Sequence, residues 1–322
     1  MISFTNKNSL DLYSHWPSPT LVIIDGPYGV GGFPGDPYTP TELPAFYEEH
    51  IKHITERSTP RTTLWFWNTE IGWALVHPLF EKYGWEYKCC CIWDKGKSHM
   101  AGNVNTKTLS KFPVVTEVCV QYVLKPTFKT DNSEKDTMMN WLIREWKRTG
   151  LPFYLTNKAC GVKDAATRKY FTHEKRLWYM PTTENFIKIV NYANENGKPE
   201  GKPYFSLNGK KPATAEEWDL LRPVFNCPFG KTNVWQQAQL MNSERLKTGS
   251  KSVHLNQKPL SLIQLLIESS SNPGDVVWDP FAGLATTAIA CHRLSRDCYT
   301  SEINEEVYKI AMQRLQDEMK QD

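Results

Sequence analysis

"VVWDPFAGLATTAIA", residues Val276 to Ala290, decides the fold. Apolar residues deliver an acid, a proline and an aromatic ring follow, small residues carry the chain round Gly283, and apolar positions resume at helical spacing. That order reads as a buried strand, a tight turn and a helix, the arrangement by which an open α/β sheet lets a ligand approach backbone at its strand ends. The next strand, "CYTSEI" (Cys298 to Ile303), brings Glu302 to its tip, where a carboxylate accepts hydrogen bonds from ribose hydroxyls. Neither Gly-x-Gly-x-x-Gly nor Gly-x-x-x-x-Gly-Lys-Ser/Thr occurs. Dinucleotides and nucleoside triphosphates are therefore disfavoured, and a cofactor with an adenosine but no phosphate fits better.

Working outward, helix-spaced segments surround this unit: "QKPLSLIQLLIESSSNPGD" (257–275) before it and "NEEVYKIAMQRLQDEM" (304–319) after it. Near the other end of the sequence, "TLVIID" (20–25) and "TTLWFW" (62–67) read as strands flanking a helix at 41–58. A second helix at 69–84 leads to strands at 86–94 and 114–125. Alternating strands and helices predict a largely parallel sheet covered on both faces and assembled from both ends of the chain. Between them the pattern changes to helices and loops rich in Lys, Asn, Gly and Pro, with a long irregular stretch at 193–212. The organisation expected is a sheet domain from 1–128 and 251–322, interrupted by an inserted, mainly helical domain at 129–250.

The 322 residues carry a net charge of only +3, too little to name a partner. The distribution says more: basic residues are in excess between Asn140 and Trp178, which suits a polyanion as well as it suits a solvated helical face. Within that region "TNKACGVKDAATRKYFTH" (156–173) outlines a helix, a turn at Gly161 and a second helix bearing Arg168 and Lys169. It matches a helix-turn-helix or an ordinary helical pair, with Thr167 where an apolar residue is usual. Trp141, Trp146 and Trp178 read as packing residues. Eight cysteines, three of them adjacent at 89–91, form no Cys-x-x-Cys pair, and a zinc site or disulfide scaffold is not expected. No apolar run approaches the roughly 18 residues of a membrane span, and the first residues lack signal-peptide order, so the expected location is cytoplasmic.

A second strand tip carries "DGPYG" (Asp25 to Gly29). It resembles the Asp-Pro-Pro-Tyr motif of DNA methyltransferases that modify exocyclic amino groups. "DPFAG" (Asp279 to Gly283) with Thr286 and Thr287 is similar to that family's loop for S-adenosylmethionine, and "HLNQKP" (His254 to Pro259) to its His-x-x-Gln-Lys-Pro segment. "IWDKG" (Ile92 to Gly96) matches a strand end that the family often carries. The order of motifs, catalytic first and cofactor loop last, is that of the circularly permuted β class, of the restriction-modification type. The resemblance implies a Rossmann-like S-adenosylmethionine-dependent methyltransferase fold with a target-recognition insertion. Its catalytic residues would be Asp25, Gly26, Pro27 and Tyr28, and its cofactor site Asp25, Gln257, Lys258, Asp279, Phe281, Gly283, Thr286, Thr287 and Glu302. Double-stranded DNA is the implied substrate, flipped one base at a time, with Lys158, Lys163, Arg168, Lys169 and Arg176 as DNA-binding candidates. A cognate restriction endonuclease and a homodimer are the further partners that family context suggests.

An exocyclic amino group is a poor nucleophile because its lone pair is delocalised into the ring. Two acceptors for its hydrogens let the nitrogen pyramidalise. Asp25 supplies a carboxylate and Gly26 a backbone carbonyl, Pro27 stiffens the turn, and Tyr28 is expected to stack on the base. Aspartate at the head of the motif points by family habit to adenine N6, with cytosine N4 the close alternative. Two departures from the motifs stand out: Gly26 replaces the first proline, and Ala285 replaces the loop's second glycine, where its methyl is expected to crowd the cofactor. Those departures also leave open a non-catalytic DNA-binding regulator on the same fold, while an RNA or protein methyltransferase is disfavoured by motif order.

Overall fold

The computed structural model describes residues 1–31, 35–96, 108–129, 135–199, 201–240, 247–248, 251–252 and 257–320. The chain divides into two compact units, Met1–Leu124 with Pro223–Asp322, and Lys125–Arg222.

The first unit is an eight-stranded sheet. Its strands are β1 (Ile2–Thr5), β2 (Leu21–Ile24), β3 (Thr63–Asn68), β4 (Trp85–Asp94), β5 (Thr116–Leu124), β8 (Val234–Gln236), β11 (Val276–Asp279) and β12 (Asp297–Ser301). Their spatial order is β1-β12-β11-β2-β3-β5-β4-β8. Only β5 runs antiparallel to its neighbours; the other pairings are parallel. The expected doubly covered α/β sheet is therefore present. Leu21 and Ile23 pack on one face with α8 (Leu260–Ser270), α9 (Thr286–Arg293) and α10 (Glu305–Met319). Val22 and Ile24 pack on the other with α1 (Leu43–Arg57) and α2 (Glu70–Lys82). The alternation of strand side chains buries both sets fully, which is why these strands read as unbroken apolar runs.

The pairing that positions the site is β11 beside β2. From β11 the chain crosses through α9 to β12 on one side; from β2 it crosses through α1 to β3 on the other. Two adjacent strands whose connections leave in opposite directions open a crevice at their carboxyl ends, and ligands bind there in open α/β sheets.

Two strands of this sheet lie outside the sequence reading. β1 is a four-residue edge strand joined to β12, and β8 is a three-residue edge strand joined to β4. Both are too short to show a period. β8 also corrects the domain boundary, because residues 223–240 belong with the sheet and the inserted unit closes at Arg222 rather than at 250. A two-residue pair, β9 (Lys247–Thr248) with β10 (Lys251–Ser252), follows.

The second unit holds a hairpin of β6 (Thr127–Lys129) and β7 (Lys135–Thr137) and the helices α3 (Met138–Arg148), α4 (Leu155–Cys160), α5 (Ala165–Tyr170), α6 (Thr183–Asn196) and α7 (Ala215–Asp219). Its core is aromatic: Phe186 stacks on Trp218 with ring centroids 3.7 Å apart, and Trp141 and Trp146 are buried as read from sequence. The expected irregular stretch at 193–212 begins later, since α6 continues to Asn196.

Candidate active site

A cavity of about 450 Å³ opens where β2 and β11 end. Asp25, Gly26, Pro27 and Tyr28 from the first loop line it together with Asp279, Phe281, Gly283, Thr286 and Thr287 from the second, and with Gln257, Lys258 and Glu302. Every residue assigned by sequence to catalysis or to the cofactor thus reaches one cavity. His254, Leu255 and Asn256 of the His-x-x-Gln-Lys-Pro segment lie outside the described residues.

The first loop leaves β2 without forming a helix. Gly29 has φ of 70°, and a Cβ there would come within 2.7 Å of the Pro40 backbone, so only glycine fits. Asp36 closes the turn by accepting the Gly29 N–H at 2.7 Å and the Val30 N–H at 3.1 Å. The two adjacent carbonyls of this loop differ. That of Pro27 accepts from the Tyr47 hydroxyl at 2.8 Å and from Asn68 Nδ2 at 3.0 Å. That of Gly26 has no hydrogen-bond partner among the described residues.

Behind the loop stands a buried set of two acids and two lysines. Lys258 Nζ lies 2.9 Å from Asp25 Oδ1 and 3.5 Å from Glu117 Oε2. Lys95 Nζ donates to Glu117 Oε1 at 2.5 Å. The Tyr28 hydroxyl donates to Glu117 at 2.9 Å and lies 3.2 Å from Asp25 Oδ1, and Trp67 Nε1 donates to Glu117 at 2.8 Å. Burial alone would raise the Glu117 pKa, but the ammoniums of Lys258 and Lys95 outweigh it and hold it at about 2. The same pairing keeps Lys258 protonated despite its burial. Asp25 differs: burial pushes its carboxyl above the usual range against the pull of Lys258. Its side chain is 21% exposed, against 3% for Lys258 and 9% for Glu117, so of these three Asp25 is the most open, and it lines the cavity together with Lys258.

Tyr28 lines the cavity and is largely enclosed. It is only 7% exposed, its hydroxyl is committed to Glu117 and Asp25, and the Lys258 ammonium sits 5.1 Å from its ring centroid. Little of its face is available for stacking. Glu117 and Lys95 were not singled out by sequence, although an acid inside the apolar run "TEVCVQY" is the signal that marks the first, and Lys95 sits in the quoted "IWDKG".

The second loop is held from β12 and α10. Glu302 accepts the Gly283 N–H through Oε2 at 3.0 Å and the Asn304 N–H through Oε1 at 2.8 Å, so it staples the loop as well as facing the cavity. The Ala282 N–H donates to Ser301 at 2.9 Å, and Arg314 Nη1 donates to the Leu284 carbonyl at 2.7 Å. Burial raises the Asp279 pKa to about 7; hydrogen bonds from Thr287 and the Phe281 N–H offset part of that, and Asp25 and Glu302 add to it. His50 forms part of the apolar wall beside Phe281, with its ring kept neutral by burial and its pKa near 4.

Ala285 corrects an expectation. It adopts φ of 59°, the left-handed conformation that makes glycine usual there, but its methyl is fully buried in the sheet's core and does not line the cavity. Its effect is backbone strain of about 1–2 kcal/mol and not obstruction of a ligand.

In the second unit, Lys158, Lys163, Arg168, Lys169 and Arg176 are all exposed. Gly161 ends α4 in the left-handed conformation, as the sequence outline requires, and α5 spans six residues, under two turns. Thr167 is accommodated by hydrogen bonds: its hydroxyl meets Thr156 at 2.9 Å and its N–H donates to Asn157 Oδ1 at 3.0 Å. Arg168 pairs with Asp164 and Arg176 with Glu174, each at 3.2 Å, and Lys169 lies over the Tyr179 ring.

An α/β sheet that offers an acid, an adjoining carbonyl and a ribose-competent carboxylate around one crevice defines a methyltransferase-like class. The comparisons agree. A family profile for N6 and N4 amino-methyltransferases, described as DNA methylase, matches residues 20–313, and the chain belongs to that family. It is 28% identical over 180 residues to the type II methyltransferase M.ScaI of Streptomyces caespitosus, a match covering 52% of this chain and 52% of the relative. The matched segment thus spans about half the length of that curated relative. Among solved structures, the complex of M1.HpyAVI with S-adenosylmethionine aligns with a TM-score of 0.53 at 16% identity, covering 98% of this chain and 99% of that one. The cytosine-N4-specific PvuII DNA methyltransferase aligns with the same score at 11% identity, covering 99% and 92%. These two likenesses concern the fold.

The family's cofactor is S-adenosylmethionine, and the residues present fit it. The rings of Phe281 and Phe46 would provide an apolar wall for a purine, Glu302 an acceptor for ribose hydroxyls, and Asp279 and Asp25 negative charge toward a sulfonium and an ammonium.

Proposed function

We propose that the protein is a site-specific DNA methyltransferase that methylates the exocyclic N6 of adenine in duplex DNA after base flipping. The observation that carries this reading is the opening of the Asp25 carboxyl into the cavity that also holds Asp279, Phe281 and Glu302. A base amino group presented there finds two acceptors, the Asp25 carboxylate and the Gly26 carbonyl. Accepting both hydrogens turns the nitrogen lone pair out of conjugation. As the new nitrogen–carbon bond forms, the nitrogen sheds one proton to Asp25, which passes it to solvent. Bound S-adenosylmethionine would supply the electrophilic methyl, its sulfonium–carbon bond breaking as the nitrogen–carbon bond forms, with the electron pair leaving on the sulfur of the neutral thioether S-adenosylhomocysteine. Pro27 fixes the loop, and Tyr28 orients Asp25 through its hydroxyl and lines the cavity beside the base. The target nucleotide leaves the stack because the cavity lies at strand tips, out of reach of a paired base.

The 125–222 unit acts in this reading as the DNA target-recognition domain. Lys158, Lys163, Arg168, Lys169 and Arg176 supply cationic contacts to phosphate, supported by their common exposure. Cytosine N4 is the second reading, favoured by the fold likeness to a cytosine-N4-specific enzyme, because the same two acceptors serve either amino group.

The test is transfer of tritiated methyl from S-adenosylmethionine to duplex DNA, followed by digestion to nucleosides. Labelled N6-methyladenine is the expected product, and Asp25→Ala abolishes it while DNA still binds. Labelled N4-methylcytosine would overturn the base assignment. DNA binding with no transfer by the unaltered protein would overturn catalysis in favour of the regulator.

A further inference from the structure

We infer that Tyr47 and Asn68 are positioning residues that replace the missing first proline of the catalytic motif and select which backbone carbonyl receives the base. This rests on the reading of Asp25 and Gly26 as the two acceptors. The loop after β2 carries two successive carbonyls, and only one is to serve the substrate. The Tyr47 hydroxyl and Asn68 Nδ2 both donate to the Pro27 carbonyl, which fills that oxygen's acceptor capacity and leaves the Gly26 carbonyl for the incoming amino group.

Both donors are themselves fixed. Tyr47 and Asn68 are fully buried. Asn68 sits at the end of β3, where its Oδ1 accepts the Thr69 N–H at 2.9 Å, so its amide nitrogen is the end that faces Pro27. Gly72 makes room for it: a Cβ at 72 would fall 1.9 Å from Asn68 Oδ1. Tyr47 comes from α1.

The clamp and Gly26 require one another. A Cβ at position 26 would lie 2.8 Å from the Tyr47 hydroxyl and 2.9 Å from Phe281 Cδ2. A proline there would thus displace the hydroxyl that does the clamping. Where a second proline ring would restrict the loop by covalent means, this chain uses two side-chain hydrogen bonds and a glycine that admits them.

The experiment uses the full chain with the substitutions Tyr47→Phe, Asn68→Ala, Gly26→Ala and the double variant Gly26→Ala with Tyr47→Phe. Single-turnover methyl transfer, KM for S-adenosylmethionine, melting temperature and hydrogen exchange at Gly29 to Gly31 are measured. Tyr47→Phe and Asn68→Ala are each expected to slow transfer by about 10 to 100-fold, the scale of a displaced reacting group, with KM within about 2-fold. Exchange at Gly29 to Gly31 quickens in both; the melting temperature holds in Tyr47→Phe and falls in Asn68→Ala, which also leaves the Thr69 N–H without its acceptor. Gly26→Ala is expected to harm the enzyme less in the Tyr47→Phe background than in the native one, a non-additive cycle. Unchanged transfer, a loss confined to KM, additive losses, or unaltered exchange in Tyr47→Phe each overturn the inference. Should the unaltered protein transfer no methyl to any DNA, the proposed function fails, and exchange in Tyr47→Phe still decides the clamp: faster exchange supports it, and unaltered exchange overturns it.

Discussion

Replacing Lys258 with methionine removes an ammonium 2.9 Å from Asp25 Oδ1 and 3.5 Å from Glu117 Oε2 while keeping an unbranched apolar stem. An opposite charge at this range typically lowers a carboxyl pKa by about 1 to 3 pH units, and Lys258 is the nearest cation to Asp25. Burial already raises Asp25, so losing that pull moves its ionisation further up. Methyl transfer requires the carboxylate, so the acid limb of the single-turnover pH profile should move upward by about 1 to 3 pH units, with activity partly restored at the alkaline end. The fold responds in the matching direction. A carboxyl whose folded-state pKa rises above its unfolded value favours folding at low pH and loses that contribution as pH climbs through the folded value. The melting-temperature gap between Lys258→Met and the native protein should therefore widen as pH rises through the Asp25 ionisation of the variant. Breaking one partner out of a buried charge group costs about 3–5 kcal/mol, enough to see by calorimetry. An acid limb that stays in place in a folded variant that still binds S-adenosylmethionine would refute the assignment of Lys258 as the group that sets Asp25.

Asp279, with its pKa near 7, should make cofactor binding tighten as pH rises from 6 to 8, since its carboxylate faces a cationic ligand; titration calorimetry checks this, and Asp279→Asn should flatten the dependence. In Glu302→Gln one oxygen gives way to an amide nitrogen facing a backbone N–H, either that of Gly283 or that of Asn304. Cofactor affinity should fall by about 10-fold or more, about 1.4 kcal/mol, with DNA binding retained in a gel-shift assay. Ala285→Gly relieves a left-handed alanine, about 1–2 kcal/mol, and gives up a buried methyl, about 0.8 kcal/mol, so thermal unfolding should show a melting temperature equal to or above the native one. Replacing both Arg168 and Lys169 with alanine should weaken DNA binding across sequences and reduce the salt slope by about 0.9 for each lost phosphate contact, read from binding curves at several salt concentrations.

The central strands and the cofactor loop were legible because each carries a complete local signal: full burial on both faces makes β2 and β3 continuous apolar runs, and the loop's acid, glycine and paired threonines sit within nine positions of one another. β1 and β8 escaped because edge strands of four and three residues have no period to show, and their partners β12 and β4 lie far along the chain. The Asp25 carboxylate was singled out by its motif, but its surroundings were not legible. Glu117 and Lys95 reach Asp25 through strand pairing, through the Tyr28 hydroxyl, and through Lys258, which arrives from the other end of the sequence. Tyr47 reads as one more apolar position on the inner face of α1, and nothing local betrays that its hydroxyl reaches Pro27. The conformation of Ala285 was invisible for a different reason, since sequence reports a side chain and not the φ that it is made to adopt.

The four charges behind the catalytic loop form a neutral set whose members depend on one another, and this constrains how the protein can change over generations. Any single replacement that removes a charge at Asp25, Lys95, Glu117 or Lys258 passes through an intermediate in which a largely buried ion has lost a partner. Neutral drift at these positions is therefore closed one step at a time and open only to paired substitutions, so a lineage that loses one lysine should be found to have lost an acid with it.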